Sequence, residues 1–150
     1  MARRSSALGR NGPRGLADIR NVKVSKTRLN EVMRAAKAAA KNGELEVCGL
    51  LVLNGEFLDL VPTRNAERRP GKFNFFASDL RRVSSAASVL GYQLVGSYHS
   101  HPLGLPEPSP ADLAHAQGNS FMLILDCFGS EAKLWFILRR IPHRVRIKLI

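Results

Sequence analysis

Apolar residues recur every three or four positions in "TRLNEVMRAAKAAAKNG", where Leu29, Val32, Met33, Ala36 and Ala40 share one helical face. Thr27 is placed to cap this helix and Asn42-Gly43 to stop it. The pattern then changes. "EVCGLLVLNGEFLDLVPTRNA" reads as two β-rich runs around Asn54-Gly55, a dipeptide that favours a tight hairpin turn. A loop, "ERRPGKFNFFA", leads to a second helix, with Ser78 as the expected N-cap, Leu80, Val83, Ala87 and Leu90 facing inward and Gly91 as terminator. "YQLVGSYHSH" reads as a strand and Ser109-Pro110 as the start of a third helix. "FMLILDCF", "AKLWFIL" and "HRVRIKLI" supply three closing strands. The order α, β, β, α, β, α, β, β, β is neither strictly alternating nor segregated, so the expected fold is a mixed β-sheet flanked by helices, α/β or α+β. Arg144, Arg146 and Lys148 alternate with Val145, Ile147 and Leu149, which suits a terminal strand protecting a sheet edge with charge.

At 150 residues, 45% hydrophobic and 23% charged, the chain fits one soluble domain with one core. Its longest apolar runs fall far short of the ~20 residues a spanning helix needs, which argues against any membrane role. Cys48 and Cys127 sit in apolar runs with no close Cys partner and no Cys/His cluster around them. They read as small core residues in a reduced, cytoplasmic setting.

The net charge of +11 is unevenly spread. Residues 1–42 carry eleven Lys and Arg against Asp18 and Glu31, whereas the rest of the chain carries twelve against ten acids. Residues 1–20 are therefore expected to form a disordered basic tail, with residues 21–150 as the single domain. Such a tail attracts acidic surfaces in general. No aromatic residue precedes Phe57, so the segment offers bases nothing to stack on, which argues against nucleic acid as the main partner.

The chemistry concentrates in "SYHSHPLGLPEPSPADLAHA". His99 and His101, at i and i+2 on a strand, point to one face and can converge on one metal ion, while Tyr98 and Ser100 point to the other. A catalytic zinc ion commonly takes three protein ligands, and Asp112, in the first turn of the next helix, is a candidate for the third. Ser-Pro-Ala-Asp is equally a helix opening that needs no metal, with Ser109 as cap, Pro110 at N1 and Asp112 closing a capping box. His-x-His also occurs in cupins and amidohydrolases. An amidohydrolase barrel needs about 250 residues and a cupin is almost wholly strand, so neither fits this order of elements.

"HSHP", six residues and then "SPAD" resembles the His-x-His-Pro and Ser-x-x-Asp motif of the JAMM, or MPN-plus, metallopeptidases. "EVCGLL", from Glu46 to Leu51, stands where that family places a glutamate. The resemblance runs from about Thr27 to Phe136 and takes in "PTRNA" and the Phe-rich loop. It implies an MPN/JAMM, cytidine-deaminase-like architecture. It also implies one zinc per chain held by His99, His101 and Asp112 with water as the fourth ligand, Glu46 as general base and then acid, and Ser109 as hydrogen-bond donor to the oxyanion.

The implied activity is hydrolysis of peptide or isopeptide bonds after the Gly-Gly tail of ubiquitin or a ubiquitin-like protein, and the implied partner is that protein or its conjugate. The chain's compactness resembles bacterial or archaeal stand-alone members, including ones in ubiquitin-like conjugation systems used against phage. Processing of a sulfur-carrier or phage-tail protein is the related alternative; a metal-free scaffold is another, against which the intact set of Glu46, His99, His101, Ser109 and Asp112 argues. Glu44 is the competing carboxylate. His115, His143 and Glu107 read as surface or structural residues.

Overall fold

The computed structural model describes residues 15–116 and 118–150. Seven strands and three helices follow one another: β1 (Asn21–Val24), α1 (Lys26–Lys41), β2 (Cys48–Asn54), β3 (Phe57–Thr63), α2 (Ala77–Leu90), β4 (Gln93–His101), α3 (Pro110–His115), β5 (Ser120–Asp126), β6 (Glu131–Leu138) and β7 (Ile141–Leu149). The expected mixed α+β sheet is present, with helices packed on it. Its strands lie in the order β1-β3-β2-β4-β5-β6-β7 and curl round until β7 meets β1.

Two apolar runs hold this sheet because both of their faces are covered. In β2, Leu51 and Leu53 face an interior shared with Leu60, Tyr98, Leu123, Leu134 and Val32 of α1. Leu50 and Val52 face the other way, onto Val83 and Ala87 of α2. In β5, Phe121, Leu123 and Leu125 face the interior, while Met122 and Ile124 pack against Leu113 of α3. A strand buried on both sides reads as a continuous apolar run rather than an alternating one.

The local expectations hold unevenly. Asn54 pairs with Phe57, so Gly55 and Glu56 form the two-residue hairpin turn, with Gly55 at φ +62°. Gly91, at φ +73°, ends α2. The caps differ: Ser25 rather than Thr27 caps α1, its Oγ accepting from the Arg28 N–H at 3.1 Å. Phe76 stands at the N-cap of α2, and Ser78 Oγ instead accepts from the Arg64 guanidinium. Leu80 and Leu90 lie on the margins of α2, exposed, because only the stripe through Val83 and Ala87 meets the sheet.

The largest correction concerns the ends of the sheet. β1, which is too short to show a periodicity, runs parallel to β7 from Asn21↔Arg146 to Val24↔Leu149. β7 is therefore paired on both sides and is not the expected edge. Of the segment read as a basic tail, residues 1–14 lie outside the described residues. Residues 15–20 contain a 3-10 turn, Leu16–Asp18, and Leu16 and Ile19 pack on the interior cluster.

Candidate metal centre

β4 carries both histidines. It is hydrogen-bonded to β2 and β5, with His99 opposite Cys48 and Ile124, and His101 opposite Asp126 at the strand's end. Alternation puts both imidazoles on one face, where their Nε2 atoms stand 3.1 Å apart. The proline turn after His101 is anchored twice, by His101 Nδ1 against the Leu105 carbonyl at 2.7 Å and by the Trp135 indole N–H donating to the Pro106 carbonyl. It returns the chain as α3, whose first turn brings Asp112 Oδ2 to 3.2 Å from His99 Nε2 and 3.1 Å from His101 Nε2.

Three donor atoms about 3.1–3.2 Å apart match the ligands of one small cation. Zinc takes nitrogen and oxygen ligands at about 2.0–2.1 Å, so the edge of its coordination tetrahedron is about 3.3 Å. The donor chemistry agrees. The Leu105 carbonyl can only accept a hydrogen bond, so His101 Nδ1 carries a proton and donates it, and in the neutral ring the lone pair is left on Nε2, toward Asp112. His99, fully buried and stacked on Phe73 with ring centroids 4.5 Å apart, has no such partner at Nδ1 among the described residues. These residues fit a zinc ion.

The capping reading of Ser109 and Asp112 is present in full, and it does not compete with the donor set. Ser109 Oγ accepts from the Asp112 N–H at 3.1 Å, and the Ser109 N–H donates to Asp112 Oδ2 at 2.9 Å, a complete capping box. The same oxygen that closes the box faces the two imidazoles. Capping thus fixes the orientation of the carboxylate that completes the donor set.

Charge follows this arrangement. Burial raises the Asp112 pKa, but the contacts of its carboxylate with the His101 and His99 rings outweigh it and hold the carboxyl well below the usual range. Burial pushes His99 down, so its ring is held neutral. For His101 burial is opposed more strongly, by Asp112, the Leu105 carbonyl and the charge of Glu46, and its pKa rises.

Glu46 lies between α1 and β2, with 8% of its surface exposed and its carboxyl close enough to feel His101 and Asp112. Burial raises its pKa from 4.5 to about 7; His101 pulls it back and Asp112 adds to the rise. Glu44 is exposed, at φ +58° in the turn after α1, and is no rival. His115, His143 and Glu107 are also exposed, His115 bonding the Ala111 carbonyl of its own helix.

Three residues in this neighbourhood carried no role in the sequence. Phe73 covers the face of His99, and Asn65 and Ser100 bond the backbone at Glu46 and Val47. Asn65 in "PTRNA" and Ser100 in "HSHP" fall within the resembling stretch, but they lie 19 residues from Glu46 and 53 from Val47, so nothing local shows what they bond.

A closed mixed sheet with helices packed on it, and a His, His, Asp donor set formed by the end of β4 and the start of α3 beside a buried carboxylate, define an α+β domain with a candidate metal centre. The chain belongs to the prokaryotic homologs of the JAB domain, whose family model matches residues 27–140.

Among solved structures, it is similar to a protein of Desulfitobacterium hafniense at 21% identity and TM-score 0.72, covering 86% of this chain and 92% of that one. It also resembles a JAB1/MPN domain protein of Archaeoglobus fulgidus at 20% identity and TM-score 0.52, covering 86% and 96%. A third likeness is to a structure of the JAMM metalloprotease-like zinc site in the proteasome and signalosome, at 17% identity and TM-score 0.50, covering 85% and 97%. At these identities the likenesses establish the fold. A sequence search of curated proteins finds no significant match.

Proposed function

We propose that the protein is a zinc-dependent peptidase or isopeptidase that cleaves after the C-terminal Gly-Gly tail of a ubiquitin-like protein, in deconjugation or precursor processing. A cytoplasmic conjugation system, including one directed against phage, is the setting this reading favours. The observation that carries the chemistry is the convergence of His99, His101 and Asp112 within 3.2 Å of one another beside the buried carboxyl of Glu46.

Zinc bound by His99, His101 and Asp112 supplies a Lewis acid that lowers the pKa of water toward neutrality and polarises the scissile carbonyl. Glu46 accepts the proton that the attacking water loses and returns it to the amine nitrogen as the C–N bond breaks. Burial raises this carboxyl's pKa above the ordinary range in the metal-free chain, so the group holds a proton more readily than an exposed glutamate does. The Ser109 hydroxyl accepts the Asp112 N–H, which leaves its own proton for the developing oxyanion. A donor so placed contributes about 3 kcal/mol. Leu103 and Leu105, exposed on the anchored turn beside His101, give a polypeptide substrate apolar contact.

The test is a metal analysis joined to a cleavage assay. Purified protein should hold one zinc per chain and cut a ubiquitin-like protein fused through Gly-Gly to a reporter, with chelation abolishing the reaction and zinc restoring it. Glu46→Ala should keep the zinc and lose turnover at least about 100-fold. Zinc-free protein that no divalent ion activates, or equal turnover in Glu46→Ala and wild type, would sink the reading.

A further inference from the structure

The peptide group joining Glu46 to Val47 is held at both of its polar ends by side chains. Asn65 Nδ2 donates to the Glu46 carbonyl at 2.9 Å, and Ser100 Oγ accepts from the Val47 N–H at 2.9 Å. The Ser100 N–H adds a bond to the Val47 carbonyl at 3.1 Å. Glu46 itself lies in no strand and in no helix. Without these bonds its backbone would be a free connection between α1 and β2.

Neither clamp can turn away. Asn65 uses its whole hydrogen-bonding capacity on backbone: Nδ2 donates to the Glu46 and Lys72 carbonyls, and Oδ1 accepts from the N–H groups of Glu67 and Asn74. Two carbonyls on one side and two amides on the other fix the amide's orientation. Ser100, fully buried, stands between the two histidines on the opposite face of β4. The loop that Asn65 closes carries Phe73, whose ring stacks on His99.

We propose that Asn65 and Ser100 are positioning residues that hold Glu46 in register with the metal ligands; this rests on the catalytic role given to Glu46 above. Ser100 ties the carboxylate's backbone to the strand that bears both histidines. Asn65 ties it to the loop that packs on one of them. A proton carrier and a metal centre from distant parts of the chain thereby share one frame. Displacement by about 1 Å is enough to cost a catalytic group up to about 100-fold in rate.

Asn65→Asp discriminates, because it keeps the two bonds accepted by Oδ1 and turns an oxygen toward the Glu46 and Lys72 carbonyls. In the zinc-loaded protein it should lower kcat about 10- to 100-fold, with KM within about threefold and one zinc per chain retained. Ser100→Ala should act in the same direction. In a Glu46→Ala background, Asn65→Asp should cause no further loss of the residual single-turnover rate, since its effect runs through Glu46.

Hydrogen exchange of the Val47 amide supplies a readout independent of turnover. It should rise at least about tenfold in both variants while the amides of Leu51 and Tyr98 keep their protection. The proposal is overturned by wild-type kcat in both variants, by an equal loss in the Glu46→Ala background, or by unchanged Val47 exchange. Failure of the catalytic reading looks different: the wild type does not cleave, while Val47 exchange still responds to both substitutions.

Discussion

Glu46 holds a carboxyl whose pKa stands at about 7 in the folded chain against 4.5 for the free group, with burial as the leading cause. Because the folded value is the higher one, the native state binds more protons than the unfolded state between those two pH values. Stability contributed by the neutral carboxyl is complete below pH 4.5 and is lost as pH rises through 7. The ionised group then costs the metal-free fold up to about 3 kcal/mol. Glu46→Gln should therefore raise the unfolding free energy of chelator-treated protein at pH 8 by up to about that amount and change it little at pH 4, as denaturant titrations at the two pH values would read. The shift of Asp112 runs the other way, its stabilisation being lost in acid, and its charge is one of the causes that raise Glu46, so part of the gain at pH 8 is relief of that repulsion. At the same scale, His101→Ala removes a donor that also anchors the turn through Leu105. Its zinc affinity should fall at least about 100-fold by competition with a chromogenic chelator, and unchanged affinity would remove His101 from the ligand set.

The donor set depends on how closely β4 lies against its neighbours. Gly96 lies tight against β5: a Cβ built there would stand 1.9 Å from the Phe121 carbonyl oxygen, a backbone atom that cannot rotate aside. Gly49 plays the corresponding part beside β4, where a Cβ would meet the ring of buried Tyr98 at 2.1 Å. Gly96→Ala should part β4 from β5 and cost about 3 kcal/mol or more, at or beyond the upper end of ordinary overpacking. Because β4 carries both histidines, weakened zinc binding should accompany the fall in thermal midpoint. A variant with wild-type midpoint and affinity would show that the strand spacing is not the constraint. α3 contributes at this scale through its first turn, since the capping box of Ser109 and Asp112 sets the helix start and aims the ligand oxygen together.

Closure of the sheet is a property of the whole molecule. Only four residues of β1 bridge β7 and β3, but Val22 and Val24 are almost fully buried in the interior cluster. Leu16 and Ile19, just ahead of the domain boundary expected from charge, pack against the same interior cluster. Val24→Asp places an unpaired charge in that interior and should cost at least about 4 kcal/mol, read as loss of the cooperative thermal transition, despite its distance in sequence from every ligand. Preservation of the transition would mean that the β1 seam is dispensable.

Sequence by itself determined the elements with strong periodicity, α1 and the β2–β3 hairpin among them, because spacing on a helix face and Asn-Gly turn chemistry are local. It also marked the candidate donors, though only the family resemblance joined Asp112 to the two histidines. His99 and His101 share a face by strand alternation, and the capping sequence puts Asp112 at a fixed place one short turn later. Glu46 was legible only through the coupled motif that it shares with them, since nothing within "GELEVCG" distinguishes it chemically from Glu44. What only the tertiary structure decided is how far each group lies from water and from the others. The four residues of β1 have too few positions to show a period, and their pairing with β7 joins opposite ends of the chain. The raised pKa of Glu46 comes from burial beneath elements remote in sequence. The grip of Asn65 and Ser100 on its backbone spans 19 and 53 residues, a separation across which hydrogen bonds leave no pattern in the order of amino acids.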